Sequence, residues 1–191
     1  EEARERVAAV LQCEPLEVVF TGGGTEADNL AIKGAALASG HRGGVVTVAT
    51  EHEAVLESVE FVSRMGCPVT VLGVDRWGMV DPEAVAAEMT DETRLVSVMW
   101  ANNETGVIQP VAEVADAVRR VADSVLIHTD AVQAVISEEV TFDRFDLLPG
   151  HRHQQRVGAD PLDRGPDLVE HRRVVGGVVG LRAEHEVDVY F

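Results

Sequence analysis

The stretch "VVFTGGGTEADNLAIKG", residues 18–34, contains the pattern on which the fold prediction rests. A short β-branched and aromatic run, "EVVF" (17–20), predicts a buried strand, and residues 25–39 predict a helix that begins at Thr25 and stops near Gly40. Glycines between a strand and a helix N-terminus let the backbone approach a ligand, and the free N–H groups there favour an anion. A tight turn with Thr25 as the helix cap explains the same residues, so both interpretations stay open.

The alternation of strand and helix continues along the chain. The sequence predicts further strands at 45–50, 68–74, 94–100 and 124–130, with helices at 1–13, 53–65, 82–89 and 111–122. Asp81 is predicted as an N-cap, with Pro82 at the first helical position. Apolar strands separated by helices indicate an α/β fold with a mainly parallel sheet sandwiched between helices.

Composition limits the classes of function. The formal net charge of −17 repels phosphate backbones, so nucleic acid is not an expected partner. No apolar run reaches the length of a membrane span, and the acidic first residues are unlike a signal peptide. Cys13 and Cys67 stand apart from metal-ligand spacings, so the expectation is a cytoplasmic protein without a metal site or a disulfide framework.

Polar residues follow several of the predicted strands, and ligands of parallel sheets bind at the carboxyl ends of strands. They are His52 in "TEHE", the asparagines of "ANNETG" (101–106), and Asp130 and Gln133 in "HTDAVQ". Taken singly, His52 is more typical of a surface or capping residue, the asparagines of an Asx-rich turn, and Asp130 equally of a helix cap or a functional carboxylate. A half-buried carboxylate in Asp130's position favours a cationic partner.

Taken together, these segments resemble a known family. "FTGGGTEADNLAIKG", "TEHEAVL", "VSVMWANNETGVIQPV" and "HTDAVQAV" resemble, in order and spacing, the cysteine desulfurases of the class V aminotransferase group, which are fold-type I pyridoxal-phosphate enzymes. The resemblance runs from about residue 1 to residue 148. It implies the large cofactor-binding domain of that fold, a homodimer, and release of sulfur from L-cysteine to leave alanine, as in sulfur metabolism and iron–sulfur cluster assembly.

The resemblance also assigns roles to individual residues. It implies that pyridoxal 5'-phosphate is held with its phosphate at Gly24 and Thr25, and its ring hydroxyl near Asn103 and Gln133. It implies two catalytic residues: His52, stacked on the ring and placed for proton transfer, and Asp130, paired with the ring nitrogen. A carboxylate there keeps the nitrogen protonated, and the protonated ring withdraws electrons from the substrate Cα.

The match fails where the family has its cofactor-binding lysine. In "LLPGHRHQQ", Gly150 and His151 fit, and His151 is expected to contact the cofactor, but the next residue is Arg152, which cannot act as an amine nucleophile. Lys33, the only lysine, falls in the helix after the glycines and is expected to be a surface residue. Neither cysteine matches the family's sulfur acceptor.

The chain is therefore expected to be an incomplete and inactive desulfurase. Residues 149–191 lack helical periodicity and are rich in histidine and arginine, which predicts a divergent, poorly ordered tail and suggests a reading-frame disruption. The alternatives are a selenocysteine lyase or another class V aminotransferase, a non-catalytic protein that holds pyridoxal phosphate without a covalent bond, and a dinucleotide-binding domain. The glycine spacing argues against the last.

Overall fold

The structure is a computed structural model, and it describes residues 2–38, 43–136, 178–181 and 187–190. The helices in these ranges are α1 (Glu2–Leu11), α2 (Gly24–Ala38), α3 (Glu53–Arg64), α4 (Pro82–Ala87) and α5 (Val111–Val121). The strands are β1 (Gly44–Val48), β2 (Val69–Leu72), β3 (Thr93–Ser97), β4 (Leu126–His128), β5 (Val178–Leu181) and β6 (Val187–Tyr190). Short 3-10 turns occupy Pro15–Glu17 and Ala134–Ile136.

Strands β1 to β4 form one parallel sheet in the order β2-β1-β3-β4. The predicted α/β fold is confirmed, and helices cover both faces of this sheet. Asp81 caps α4 as predicted, because its carboxylate accepts a hydrogen bond from the Glu83 N–H at 3.0 Å. None of the helices described is both long enough and apolar enough to cross a bilayer.

The strand predicted at residues 17–20 is wrong. Pro15–Glu17 forms a 3-10 turn, Phe20 alone forms a β-bridge, and residues 17–20 join none of the four strands of the parallel sheet. Val18 is nevertheless buried, because it packs with Val7, Ala8 and Leu11 of α1. A short apolar run looks the same in sequence whether it pairs with a strand or packs beneath a helix.

The two strands near the C-terminus, β5 and β6, pair with each other in antiparallel fashion. They lie within residues 149–191, where the sequence predicts a divergent tail. The domain boundary at residue 148 stays a prediction.

Candidate functional site

The candidate site lies next to a row of polar side chains on one face of the sheet, which we call the polar row. Val45 of β1 and Leu95 of β3 face the core beneath α2 and α3. Since side chains of a strand alternate between faces, the residues two further along, Thr47 and Ser97, share that face. Ser97 pairs in register with His128 of β4, so the row crosses three strands close to their carboxyl ends.

Glu51, in the turn after β1, lies over this row and is buried. Its Oε1 atom accepts hydrogen bonds from the Met99 N–H (3.0 Å), the Ser97 hydroxyl (3.1 Å) and the Thr47 hydroxyl (3.3 Å). Its Oε2 atom is buried without a hydrogen-bond partner among the residues that the structure describes. Burial raises the pKa of Glu51 to about 7, against the lowering effects of His128 and Ser97.

His128 links the polar row to helix α2. Its Nδ1 lies 2.9 Å from the Ser97 hydroxyl, and its Nε2 lies 3.5 Å from Oδ1 of the buried Asp28. Burial disfavours the imidazolium, but the hydrogen bond and charge of Asp28, with the charges of Glu51 and Asp130, raise the pKa of His128 overall. The face beneath α2 thus contains a nearly buried histidine whose pKa is raised by the carboxylates around it.

Asp130 stands two residues beyond His128 and is also buried. One of its oxygens, Oδ1, accepts a hydrogen bond from the Val132 N–H at 2.9 Å. Burial raises the pKa of Asp130, the charge of Asp28 raises it further, and the Val132 N–H and the two histidines His128 and His52 act in the opposite direction. The Asp130 carboxylate is therefore one that a cationic ligand would stabilise.

His52 brings a third functional group to the same place. It caps α3, with Nδ1 accepting a hydrogen bond from the Ala54 N–H at 3.1 Å. With Nδ1 occupied as an acceptor, the neutral ring carries its proton on Nε2. One side-chain nitrogen or oxygen from each of Asp28, His52 and Asp130 lies within 4.8 Å of the others, so a single ligand can contact all three. The sequence-predicted pair, His52 and Asp130, is thus brought together.

The glycine-rich loop ends at the N-terminus of α2, where Gly24 and Thr25 are the first two residues. The Thr21 hydroxyl donates to the Gly23 carbonyl (3.0 Å), and the Gly22 N–H donates to the Glu26 carboxylate (2.6 Å). Thr25 is exposed, and the N–H groups of a first helical turn have no acceptor within the helix. Because Asp28 belongs to the same helix, α2 connects this loop to the cluster at Asp130.

The loop after β3 is held by Asn102. Its Nδ2 donates to the Thr50 carbonyl at 2.8 Å, and its Oδ1 accepts from Glu104 N–H, Thr105 N–H and the Thr105 hydroxyl. The Trp100 N–H donates to the Asp130 carbonyl at 2.9 Å. The loops after β1, β3 and β4 are therefore hydrogen-bonded to one another.

The other residues singled out from the sequence lie outside the cluster of Asp28, His52 and Asp130 or outside the described residues. Asn103 and Gln133 are exposed, in the loops that follow β3 and β4. His151 lies outside the described residues. Lys33 is half-buried and places its Nζ 4.4 Å from the centre of the Phe61 ring of α3. Sequence reasoning missed Asp28, Glu51, Ser97 and His128, although a serine and a histidine inside apolar strands were a usable signal.

Fold and site together define a class: an α/β protein with a charged cluster at the carboxyl ends of parallel strands, beside a helix N-terminus. The aminotransferase class-V family model matches residues 1–152, and the chain belongs to this family. The match ends close to the expected limit at residue 148.

Among its relatives is the cysteine desulfurase IscS of Neisseria meningitidis serogroup A, 40% identical over 184 residues that cover 93% of this chain and 45% of the relative. Solved structures include a NifS-like protein, with a TM-score of 0.73 and 37% identity, covering 76% of this chain and 40% of that one. Another is SspA in complex with cysteine, with a TM-score of 0.70 and 32% identity over 75% of this chain and 41% of that one. The chain thus spans less than half the length of these relatives.

Proposed function

We propose that this chain is the cofactor-binding part of a pyridoxal-phosphate-dependent cysteine desulfurase. The observation that carries the proposal is the cluster of Asp130, His52 and Asp28 at the strand ends. Family membership and the similarity to cysteine desulfurases support it. Helix α2 begins at the end of the glycine-rich loop and carries Asp28, so one helix links the proposed phosphate position to the carboxylates proposed to face a cationic ring.

The residues present fit pyridoxal 5'-phosphate. The cofactor has a phosphate, which suits the free N–H groups at Gly24 and Thr25, and a ring nitrogen that carries a proton beside a carboxylate such as Asp130. The hydroxyls of Thr50 and Thr129, which follow β1 and β4 in sequence, are buried and have no hydrogen-bond partner among the described residues. Polar atoms of this kind are expected where a ligand completes a site.

Each proposed residue has a defined task in this site. Asp130 would hold the proton on the ring nitrogen, and Asn103 and Gln133 would contact the ring hydroxyl. His52 would pack on the ring face and, with Nδ1 fixed by Ala54, present Nε2 for proton transfer. When bound, the cofactor supplies an electron-withdrawing ring that stabilises negative charge at the substrate Cα. His151 is retained as a proposed cofactor contact.

The complete enzyme would take sulfur from L-cysteine and leave alanine. We propose a cytoplasmic homodimer that hands sulfur to an acceptor protein, with iron–sulfur cluster assembly as one destination. Selenocysteine and other amino acids remain the competing substrates, because the residues of the cluster contact the cofactor rather than the substrate side chain.

This chain by itself is proposed to bind the cofactor reversibly and to lack desulfurase activity. The family's lysine position holds Arg152, and Lys33 is engaged with Phe61 on α3. A covalent bond to the cofactor needs an uncharged amine within reach of its aldehyde, and arginine cannot supply one.

A titration of the purified chain with pyridoxal phosphate, followed by visible absorbance, tests the proposal. We expect saturable binding that is lost on gel filtration and leaves no borohydride-fixed cofactor. Asp130→Ala should weaken binding at least about tenfold, because it removes a charged partner of the ring. The control Asp116→Asn changes an exposed carboxylate on α5 and should bind as the parent does. Absence of saturable binding by the folded parent chain would contradict the proposal.

A further inference from the structure

Four buried or nearly buried side chains form a continuous chain of contacts behind the proposed cofactor site. We name it the buried relay, and its members in order are Glu51, Ser97, His128 and Asp28. It runs from the turn after β1, across β3 and β4, to helix α2. The assignment of Asp130 to the ring nitrogen makes no use of it.

The hydrogen bonds of the buried relay indicate which nitrogen of His128 carries a proton. If the Ser97 hydroxyl donates to Glu51, its oxygen must accept from Nδ1–H of His128. If Glu51 is instead protonated and donates to Ser97, the hydroxyl donates to Nδ1. In the first case the neutral ring would leave a bare Nε2 facing the Asp28 carboxylate, and this repulsion favours a second proton on the ring, at Nε2. In the second case the neutral ring already carries its proton on Nε2. Both arrangements therefore favour a proton on Nε2, directed at Asp28.

This proton matters for Asp130. The carboxylate of Asp28 approaches Asp130 and His52 within the 4.8 Å cluster, and an unpaired charge there would oppose ionisation of Asp130. The titratable groups that act on Asp130 are Asp28 from α2, His128 from β4 and His52 from the start of α3. Glu51 acts on His128 from the opposite end.

We propose that His128 is a positioning residue: its Nε2–H neutralises Asp28, and Asp130 is thereby left as the carboxylate that faces a cationic ring. Ser97 and Glu51 hold the imidazole in the orientation that this task needs. The part that concerns the ring rests on the proposed function, whereas the effect on Asp130 does not.

The ligand-free chain provides the first test. Carboxyl 13C chemical shifts of Asp130, assigned by their loss in Asp130→Asn, are followed against pH in His128→Gln and Asp28→Asn. His128→Gln should make protonation of Asp130 about tenfold more favourable, and Asp28→Asn should make it about tenfold less favourable. Equal directions in the two variants, or no change in either, would overturn the proposal. The Asp28→Asn arm stands even where His128→Gln does not fold, which thermal unfolding monitors.

The second test separates electrostatics from shape. Binding of pyridoxal phosphate is compared with binding of its 1-deaza analogue, in which C–H replaces the ring nitrogen. His128→Gln should weaken pyridoxal phosphate about tenfold and leave the analogue unchanged, since only the former needs an ionised Asp130. Equal weakening of both ligands would show a merely structural role and overturn the proposal. If neither ligand binds the parent chain, the proposed function fails, and the 13C titration still decides the effect on Asp130.

Discussion

The face of the sheet beneath α4 and α5 differs from the face beneath α2 and α3, although the same strands build both. Beneath α4 and α5, Val46, Val48, Val96 and Val98 continue one apolar cluster up to Trp100. On the other face the apolar cluster gives way to Thr47, Ser97 and His128 towards the carboxyl ends. Alternation of side chains lets neighbouring residues serve stability on one face and a charged site on the other.

The largest expected effect comes from placing a charge on the apolar face. Val96→Asp should lower the free energy of unfolding by more than about 4 kcal/mol, because Val96 is fully buried within an apolar cluster. Val71→Asp, at a half-exposed position on the edge strand β2, is the matched control and should change it by about 0.5 kcal/mol. Urea denaturation followed by circular dichroism measures both. Similar losses in the two variants would contradict the division between the faces.

The next effect concerns pH on the charged face. Glu51 has an ordinary pKa of 4.5 when unfolded and about 7 when folded, so the folded state binds the extra proton between these values. The contribution of Glu51 to stability is therefore lost as the pH rises through this window. As the pH rises from 5 to 8, the free energy of unfolding of Glu51→Gln should increase by about 2–3 kcal/mol relative to that of the parent.

Urea denaturation at several pH values measures this gain, and Glu53→Gln, an exposed neighbour at the start of α3, should show none of it. A parent chain whose stability relative to Glu51→Gln rises with pH would show that Glu51 is ionised at little cost. The charged face would then solvate a carboxylate about as well as an exposed protein surface does.

The smallest effect distinguishes two adjacent asparagines at the edge of the charged face. Asn102→Ala should lower the free energy of unfolding by about 2 kcal/mol, because it removes a buried acceptor of three hydrogen bonds and a donor to Thr50. Asn103→Ala should leave it within about 0.5 kcal/mol, since Asn103 is exposed, yet weaken pyridoxal phosphate binding. Thermal unfolding and the absorbance titration separate the two outcomes. If Asn103→Ala lowered stability and Asn102→Ala affected only ligand binding, the roles assigned to the two asparagines would be contradicted.

The elements that the sequence predicted well are those with a sustained helical period or a continuous apolar run between helices. The helices at 25–39 and 111–122 repeat apolar residues at helical spacing, the strands around residues 46 and 96 are nearly continuous apolar runs, and all four occur in the structure within a few positions. The strand at 17–20 failed because three apolar residues, Val18 to Phe20, do not reveal whether a neighbouring strand exists to pair with all of them.

The site was predictable in part for a similar reason. His52 and Asp130 follow strands, so the rule that parallel strands direct ligands to their carboxyl ends anticipated their meeting. The buried relay was not anticipated, since Glu51 and Ser97 are 46 positions apart and meet only through the strand order. The contact between Asp28 and His128 could not be predicted either, because it depends on how α2 lies across the sheet.

The strand order β2-β1-β3-β4 also bears on how the chain assembles as it leaves the ribosome. In the order of synthesis, β2 is the first strand available to pair with β1, β3 is the first available for the opposite edge of β1, and β4 pairs with β3. Because a helix separates each strand from the next in sequence, the second edge of β1 has no partner strand until β3 has been synthesised. A nascent chain that is halted after β2 and before β3 would therefore expose this strand edge, which is a surface that a chaperone could bind.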